Sequence, residues 1–273
     1  MNTSIDLNCD LGESFGAWRM GADAAVMPWI TSANIACGFH AGDPGTMRRT
    51  VALAARAGVA IGAHVSLPDL VGFGRREMQI SADEAHALTL YQVGALAGFA
   101  RAAGSRLGHM KPHGALYTMA ARDAALAGAI AAAVRDFDPA LVLVGLAGSE
   151  LPRAGRAAGL RVAHEAFADR AYAADGHLVS RQEPGAVIED VETAVAQAVA
   201  IATRGEVAVR GGGMRALCAD TLCVHGDRPD AAEFARRLRE ALQEAGVGVR
   251  PMVVAAGAIA APRWSAAGPG AGA

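Results

Sequence analysis

What the chain lacks narrows its function before any motif is read. It has no uninterrupted apolar run near the roughly 20 residues that span a bilayer, although 52% of its 273 residues are hydrophobic and its mean hydropathy is +0.24. A soluble protein with no membrane partner is expected. Neither sign of charge is in excess: the net charge is −2 and the isoelectric point lies near 6.4. No basic face therefore draws in nucleic acid or anionic lipid by bulk electrostatics, and any bound anion must be met by local residues. Cysteine is scarce, and Cys9, Cys37, Cys218 and Cys223 show no C-x-x-C spacing. They read as buried reduced thiols rather than as disulfides or a zinc cluster. No basic, apolar, small-residue leader opens the chain, since Asp6 and Asp10 fall inside its first segment, and a cytoplasmic location is expected. A Walker loop and a G-x-S-x-G nucleophile elbow are also missing.

What is present is an alternation. Seven short apolar runs read as strands, at residues 4–9, 32–37, 60–65, 106–111, 141–146, 161–166 and 221–225. Asp43 before Pro44 opens a helix that stops at Gly58, and Ser81 with Glu84 forms a capping box for a helix ending near Gly104. Further helices are expected at residues 121–135, 149–158, 184–203 and 229–245. Strand, helix, strand, repeated, predicts a parallel sheet with crossover helices. About seven such units with no linker between halves predict one α/β, TIM-barrel-like (β/α) barrel over residues 1–250. Residues 251–273, rich in Ala, Gly and Pro, read as a partly disordered tail.

In such barrels the working residues gather at the C-terminal ends of the strands. Those ends carry Asn8, Asp10 and Glu13, then His40 and Asp43, then His64 and Asp69, then Lys111 and His113. Later runs add His164, Glu165, Asp169 and Arg170, and finally His225 and Asp227. A polar, His-rich pocket at one barrel mouth is the expected consequence. In LGHMKPHGALYTM, residues 107–119, His109, Lys111 and His113 alternate and so project to one side of an extended strand. Pro112 argues against a helix there. Asp6, Asn8 and Asp10 likewise share one face of the first strand, which predicts a polar barrel interior near the mouth or, alternatively, an edge strand.

Two loops read as covers for the mouth. Residues 66–79 carry Arg75 and Arg76, whose guanidinium groups suit carboxylate or phosphate, and residues 168–185 carry Asp169, Arg170 and Arg181. Plainer roles stand beside these: Asp43 is a good helix N-cap, His86 a surface residue of a helix, and RGGGMR at 210–215 a flexible connection as readily as a phosphate loop.

The blocks LNCDLGESFG, ANIACGFHAGDP, GFGRR, KPHGALY, FADRAYAADGHLVSR and CVHGD resemble the signature blocks of the LamB/YcsF family, over residues 3–251. The chain departs from that pattern at Val65 and Leu67, where family members carry proline and an aromatic residue. The resemblance implies a barrel related to the glycoside hydrolase/deacetylase group. It also implies the A component of the bacterial ATP-dependent 5-oxoprolinase, a cytoplasmic complex with subunits B and C. That enzyme, a hydrolase acting on a cyclic amide, opens 5-oxo-L-proline to L-glutamate with hydrolysis of ATP to ADP and phosphate.

Under this reading Asp10, Lys111 and His113 are the expected catalytic residues, with Lys111 neutralising phosphate charge and Asp10 or His113 moving the proton. Asn8, Glu13, Arg75, Arg76, Asp169, Arg170, Arg181, His225 and Asp227 are the expected substrate-binding residues, with Arg75, Arg76 or Arg170 clamping the substrate carboxylate. Asp10, His40 and His64 resemble the Asp-His-His metal set of related deacetylases. ATP with Mg²⁺ is the expected cofactor, and an additional divalent metal is left open. Two other readings stay open: a metal-dependent deacetylase or amidohydrolase that needs no ATP, and a non-catalytic protein of the complex that binds 5-oxoproline.

Overall fold

The computed structural model describes residues 4–226 and 230–253. In chain order its elements are β1 (Ser4–Leu11), α1 (Asp23–Val26), a 3-10 turn (Met27–Trp29), β2 (Ser32–Ala36), α2 (Pro44–Ala57), β3 (Ala60–Val65) and α3 (Ala82–Ala102). There follow β4 (Leu107–Pro112), α4 (Gly114–Arg122), α5 (Ala124–Phe137), β5 (Val142–Leu146), α6 (Glu150–Ala157) and β6 (Arg161–Phe167). The last are α7 (Val191–Arg204), β7 (Glu206–Ala208), β8 (Met214–Ala216), β9 (Thr221–His225), α8 (Ala231–Glu244) and β10 (Gly248–Val249).

Seven parallel strands close into a barrel in the order β1-β2-β3-β4-β5-β6-β9, and β9 returns to β1 in register from Asp6↔Thr221 to Asp10↔His225. All seven expected strands are present. β1 is therefore no edge strand: it has a neighbour on each side. Short β10 pairs with the start of β1, at Ser4↔Gly248 and Ile5↔Val249. Among the described residues no helix is long and apolar enough to cross a membrane.

The caps act as read. The Asp43 carboxylate accepts from the Gly45 and Thr46 amides, Gly58 closes α2 in the left-handed region, and Ser81 and Glu84 cap α3 reciprocally. Three expectations change. The helix expected at 121–135 is α5 and begins only at Ala124, because Asp123 accepts from the Ala125 and Leu126 amides to start it and ends α4, a helix over Gly114–Arg122 that is not among the expected ones. The helix expected from 184 starts at Val191, capped by Asp190. RGGGMR is neither phosphate loop nor loose connection but the turn of a two-stranded antiparallel ribbon, β7–β8.

Outward-facing side chains of the strands, such as Leu7, Cys9, Leu11 and Ile35, join the helices in one apolar core. The interior is different. Asp6 accepts from the Thr31, Ser32 and Thr221 hydroxyls and the Met252 amide, while burial pushes its carboxyl above the ordinary range. One layer up, Asn8 donates to Thr221, and Asn34 donates to both Asn8 and Asp10 at 2.7 and 2.8 Å. His109 Nε2 completes the layer by donating to Asn34 at 2.8 Å. A hydrogen-bonded polar column thus leads up the barrel axis to the mouth, with His109 Nδ1 left without a hydrogen-bond partner among the described residues. At the other end, Val253 packs against Ala60, Val142, Val144 and Ala163. The rest of the tail, residues 254–273, lies outside the described residues.

Candidate active site

Lys111, near the end of β4, stands at the top of that column. Its Nζ lies 2.7 Å from Glu165 Oε1 and donates to Asp10 Oδ1 at 3.0 Å, Cys223 Sγ at 3.1 Å and Asn8 Oδ1 at 3.2 Å. Burial by itself would depress its pKa, but Asp10, the Cys223 sulfur and Glu165 hold it well above the usual lysine range. The group is a fixed ammonium. Phe167 covers it, with the ring centroid 5.6 Å from Nζ. Tyr117 faces the same carboxylate, and burial followed by the Glu165 charge pushes its hydroxyl pKa up.

Beside the ammonium lies a knot of imidazoles. His113 Nδ1 is 3.0 Å from His64 Nε2, and His113 Nε2 donates to the Phe73 carbonyl at 2.9 Å. His64 Nδ1 meets the Lys111 carbonyl at 3.0 Å, and its Nε2 is 3.3 Å from Asp10 Oδ2. His40 stacks on His113 with centroids 3.9 Å apart and approaches Glu13 Oε1 at 3.7 Å. Burial first, and then the neighbouring imidazoles, push His113 and His40 well below the ordinary histidine range. Phe73, the one non-glycine residue at positive φ (55°) among the described residues, closes this knot from the loop side.

Above both groups opens a cavity of about 800 Å³. Asp10, Glu13, His64, Lys111 and His113 line it from the strand ends, Arg75 and Arg76 from the loop after β3, and Arg170 and Arg181 from the loop after β6. The two loops expected to cover the mouth do so. Their arginines are not equivalent. Arg76 is paired with Asp69 through both Nε and Nη2. Arg170 donates to the Ala186 and Val179 carbonyls, which holds its own loop, and burial lowers its pKa to about 10. Arg75 lies over the Phe73 ring.

Other expected residues fall elsewhere. Asn8 is fully buried beneath Lys111 and supports the site from below, because its strand position is one layer under the mouth. Asp169 is buried outside the lining, and its carbonyl accepts from the Ile188 amide. His164 faces the outside of β6, where it meets Arg156, since strand alternation turns Ala163, Glu165 and Phe167 the other way. The His225 side chain and Asp227 lie outside the described residues. Glu165, Cys223 and Asn34 are not among the expected catalytic or binding residues. Glu165 and Cys223 follow from strand parity, whereas Asn34 needs the β1–β2 register to be known.

Residues 5–257 match the LamB/YcsF family. The chain belongs to that family. It is 61% identical over 250 residues to the 5-oxoprolinase A component of Bordetella pertussis, covering 92% of this chain and 99% of that one. With the corresponding 5-oxoprolinase component of Methylococcus capsulatus it shares 62% identity over 249 residues, 91% of this chain and 96% of the other. The crystal structure of the lactam utilization protein from Thermus thermophilus superposes with a TM-score of 0.86 at 52% identity, over 90% of this chain and 99% of that one. For this member of the LamB/YcsF family, barrel and resemblance therefore agree. At Val65 and Leu67 it carries fully buried apolar side chains, and Gln92 holds the intervening Ser66 by both its amide and its carbonyl.

Proposed function

We propose that the chain opens the ring of 5-oxo-L-proline to give L-glutamate, as the A component of an ATP-hydrolysing cytoplasmic complex with subunits B and C. The observation that carries this is Lys111: a buried ammonium held by Asp10 and Glu165 at the floor of a cavity rimmed by Arg75 and Arg181. Such a site suits a small anion that gains further negative charge as it reacts.

The lactam is a poor electrophile because its amide is resonance-stabilised. Transfer of a phosphoryl group from Mg²⁺-bound ATP to the lactam oxygen, with departure of ADP, removes that resonance. Water then adds at the same carbon, the ring C–N bond breaks as its nitrogen takes a proton, and the acyl phosphate formed is hydrolysed to glutamate and phosphate. Lys111 faces the developing oxyanion and phosphate charge. Asp10 moves the proton, since it lines the cavity and its Oδ2 faces His64 Nε2 at 3.3 Å while Oδ1 is tied to Lys111 and Asn34. His113, with its Nε2 committed to a backbone carbonyl, positions its neighbours instead. Arg75 meets the substrate carboxylate, Arg181 the phosphates, and Arg76 and Arg170 hold the two loops.

The imidazole cluster favours a second reading, ATP-independent hydrolysis of a small amide. Glutamate release from 5-oxo-L-proline separates the two, measured with and without ATP and Mg²⁺, with and without subunits B and C. ATP- and partner-dependent release that disappears in Lys111→Ala is expected; turnover without ATP would select the hydrolytic reading.

A further inference from the structure

We propose that Glu13, His40, His64 and His113 bind one divalent transition-metal ion, and that Asp10 stands outside the ligand set. The inference concerns the cavity of the proposed reaction but rests on imidazole geometry alone, so it is tested without substrate, ATP or partner.

The argument starts from tautomers. His64 Nδ1 is 3.0 Å from the Lys111 carbonyl and His113 Nε2 is 2.9 Å from the Phe73 carbonyl. Carbonyl oxygens only accept, so the hydrogen bonds assign each neutral ring's single hydrogen to that nitrogen. His64 Nε2 and His113 Nδ1 are then two bare lone pairs facing each other at 3.0 Å. That separation is repulsive unless something positive sits against both. A proton on His64 would answer this pair, shared with Asp10 Oδ2 at 3.3 Å.

A proton leaves the rest of the cluster unexplained. His40 is buried, and among the described residues neither of its ring nitrogens has a hydrogen-bond partner. Its Nε2 lies 3.7 Å from Glu13 Oε1, and His113 Nδ1 lies 3.8 Å from the same oxygen. One ligand atom from each of the four residues falls within 4.8 Å of all the others. A single cation among them serves all four. The separations of 3.0, 3.7 and 3.8 Å bracket the roughly 3.3 Å edge of a tetrahedron with bonds of about 2.0 Å. Because His40 and His113 are stacked, one ring must tilt to share an ion with the other, and among the described residues no hydrogen bond restrains the His40 ring.

Three imidazoles and one carboxylate select zinc, cobalt, nickel or iron(II) over magnesium or calcium, which prefer oxygen. The carbonyls of Lys111 and Phe73 orient His64 and His113 as outer partners orient metal-bound histidines. Asp10 lies outside the group whose ligand atoms are all within 4.8 Å of one another: its Oδ2 approaches His64 at 3.3 Å, and its Oδ1 is committed to Lys111 and Asn34. The set therefore differs from the Asp10, His40, His64 group expected from the resemblance, with Glu13 and His113 in place of Asp10. When bound, such an ion would polarise a carbonyl or acidify a water.

The test uses the full chain, purified without chelator for metal analysis and then stripped and titrated with Co²⁺, with circular dichroism as a check on folding. One equivalent of metal and a saturable visible Co²⁺ spectrum of four-coordinate type are expected. Glu13→Gln and His113→Ala should lose both while folded, and Asp10→Asn should keep both. A stripped, folded wild-type chain that shows no saturable Co²⁺ or Zn²⁺ binding overturns the proposal, whatever the variants do. So does retention in Glu13→Gln with loss in Asp10→Asn. Metal binding by a chain that releases no glutamate even with 5-oxo-L-proline, ATP, Mg²⁺ and subunits B and C would count against the proposed reaction and leave this inference standing.

Discussion

Lys111 is the only lysine in the sequence; the other basic residues, among 25 Lys and Arg in all, are arginines. Charge alone is thus supplied elsewhere by guanidinium, and the one ammonium sits where four acceptors converge on a point. A planar five-donor fork does not fit that geometry. Lys111→Arg is accordingly expected to abolish ring opening rather than preserve it, and wild-type turnover in that variant would show that positive charge is all the site requires. Lys111→Met leaves Asp10 and Glu165 buried without their cation, which should cost about 3–5 kcal/mol in urea unfolding.

His109 gives a pH dependence at the same scale. Burial, then the Lys111 charge and His64, lower its pKa to about 3 from an ordinary 6.5. A depressed pKa means that the unfolded chain takes up a proton between those values and the folded chain does not. Stability is therefore full above pH 6.5 and falls as pH drops towards 3, by about 1.4 kcal/mol per pH unit for this group. His40 and His113 shift the same way and steepen the fall. In His109→Gln, whose amide can still donate to Asn34, the slope of unfolding free energy against pH should be shallower by about one proton. An unchanged slope would remove His109 from the linkage.

At the scale of elements, the loop after β3 and the start of α4 form one unit. His113 donates from its backbone to Val65 at 2.7 Å, Ala115 donates to Gly74 at 2.8 Å, and Asp69 gathers the Gly72 and Gly74 amides at 2.9 and 2.8 Å. Gly114 sits at φ 56°, and a Cβ there would lie 2.5 Å from the Gly74 carbonyl oxygen. Gly114→Ala should cost about 1–3 kcal/mol and draw the Phe73 carbonyl away from His113. The expected readout is a lower Tm with a raised KM; neither changing would show that loop and helix move independently.

This unit also shows what is legible in the sequence and what is not. Period two puts His109, Lys111 and His113 on the inner face because strand geometry is local. The helix at Gly114 is hidden by the same proline and glycine that end the strand so abruptly. Glu13 is expected as a binding residue, but its place beside His40 and His113 depends on a turn held by Gly12 on Asp23 and by Phe15 against Trp18. Those contacts join residues that no spacing rule relates. The alternation Asp6, Asn8, Asp10 foretells a polar interior, yet not that it runs the length of the barrel, since its partners Thr221, Ser32 and Met252 come from both ends of the chain.

For the molecule as a whole, that interior sets a requirement at the end remote from the site. A polar column in the middle of a barrel is stable only while water is kept from competing for its hydrogen bonds. β10 and the residues after it supply the closure: the Met252 amide donates to Asp6 at 3.3 Å, and Val253 covers Ala60, Val142, Val144 and Ala163. A chain ending at Arg250, compared with one ending at Val253, isolates this seal. Losing one buried valine contact and one hydrogen bond to a carboxylate should cost about 3 kcal/mol. For a domain of this size that corresponds to a Tm lower by roughly 5–10 °C. The loss should be transmitted to the mouth, because Asp6, Thr221, Asn8 and Lys111 are successive members of one bonded column. Equal Tm values for the two chains would mean that the barrel floor closes without the segment, and that the polar column is held by its own strands alone.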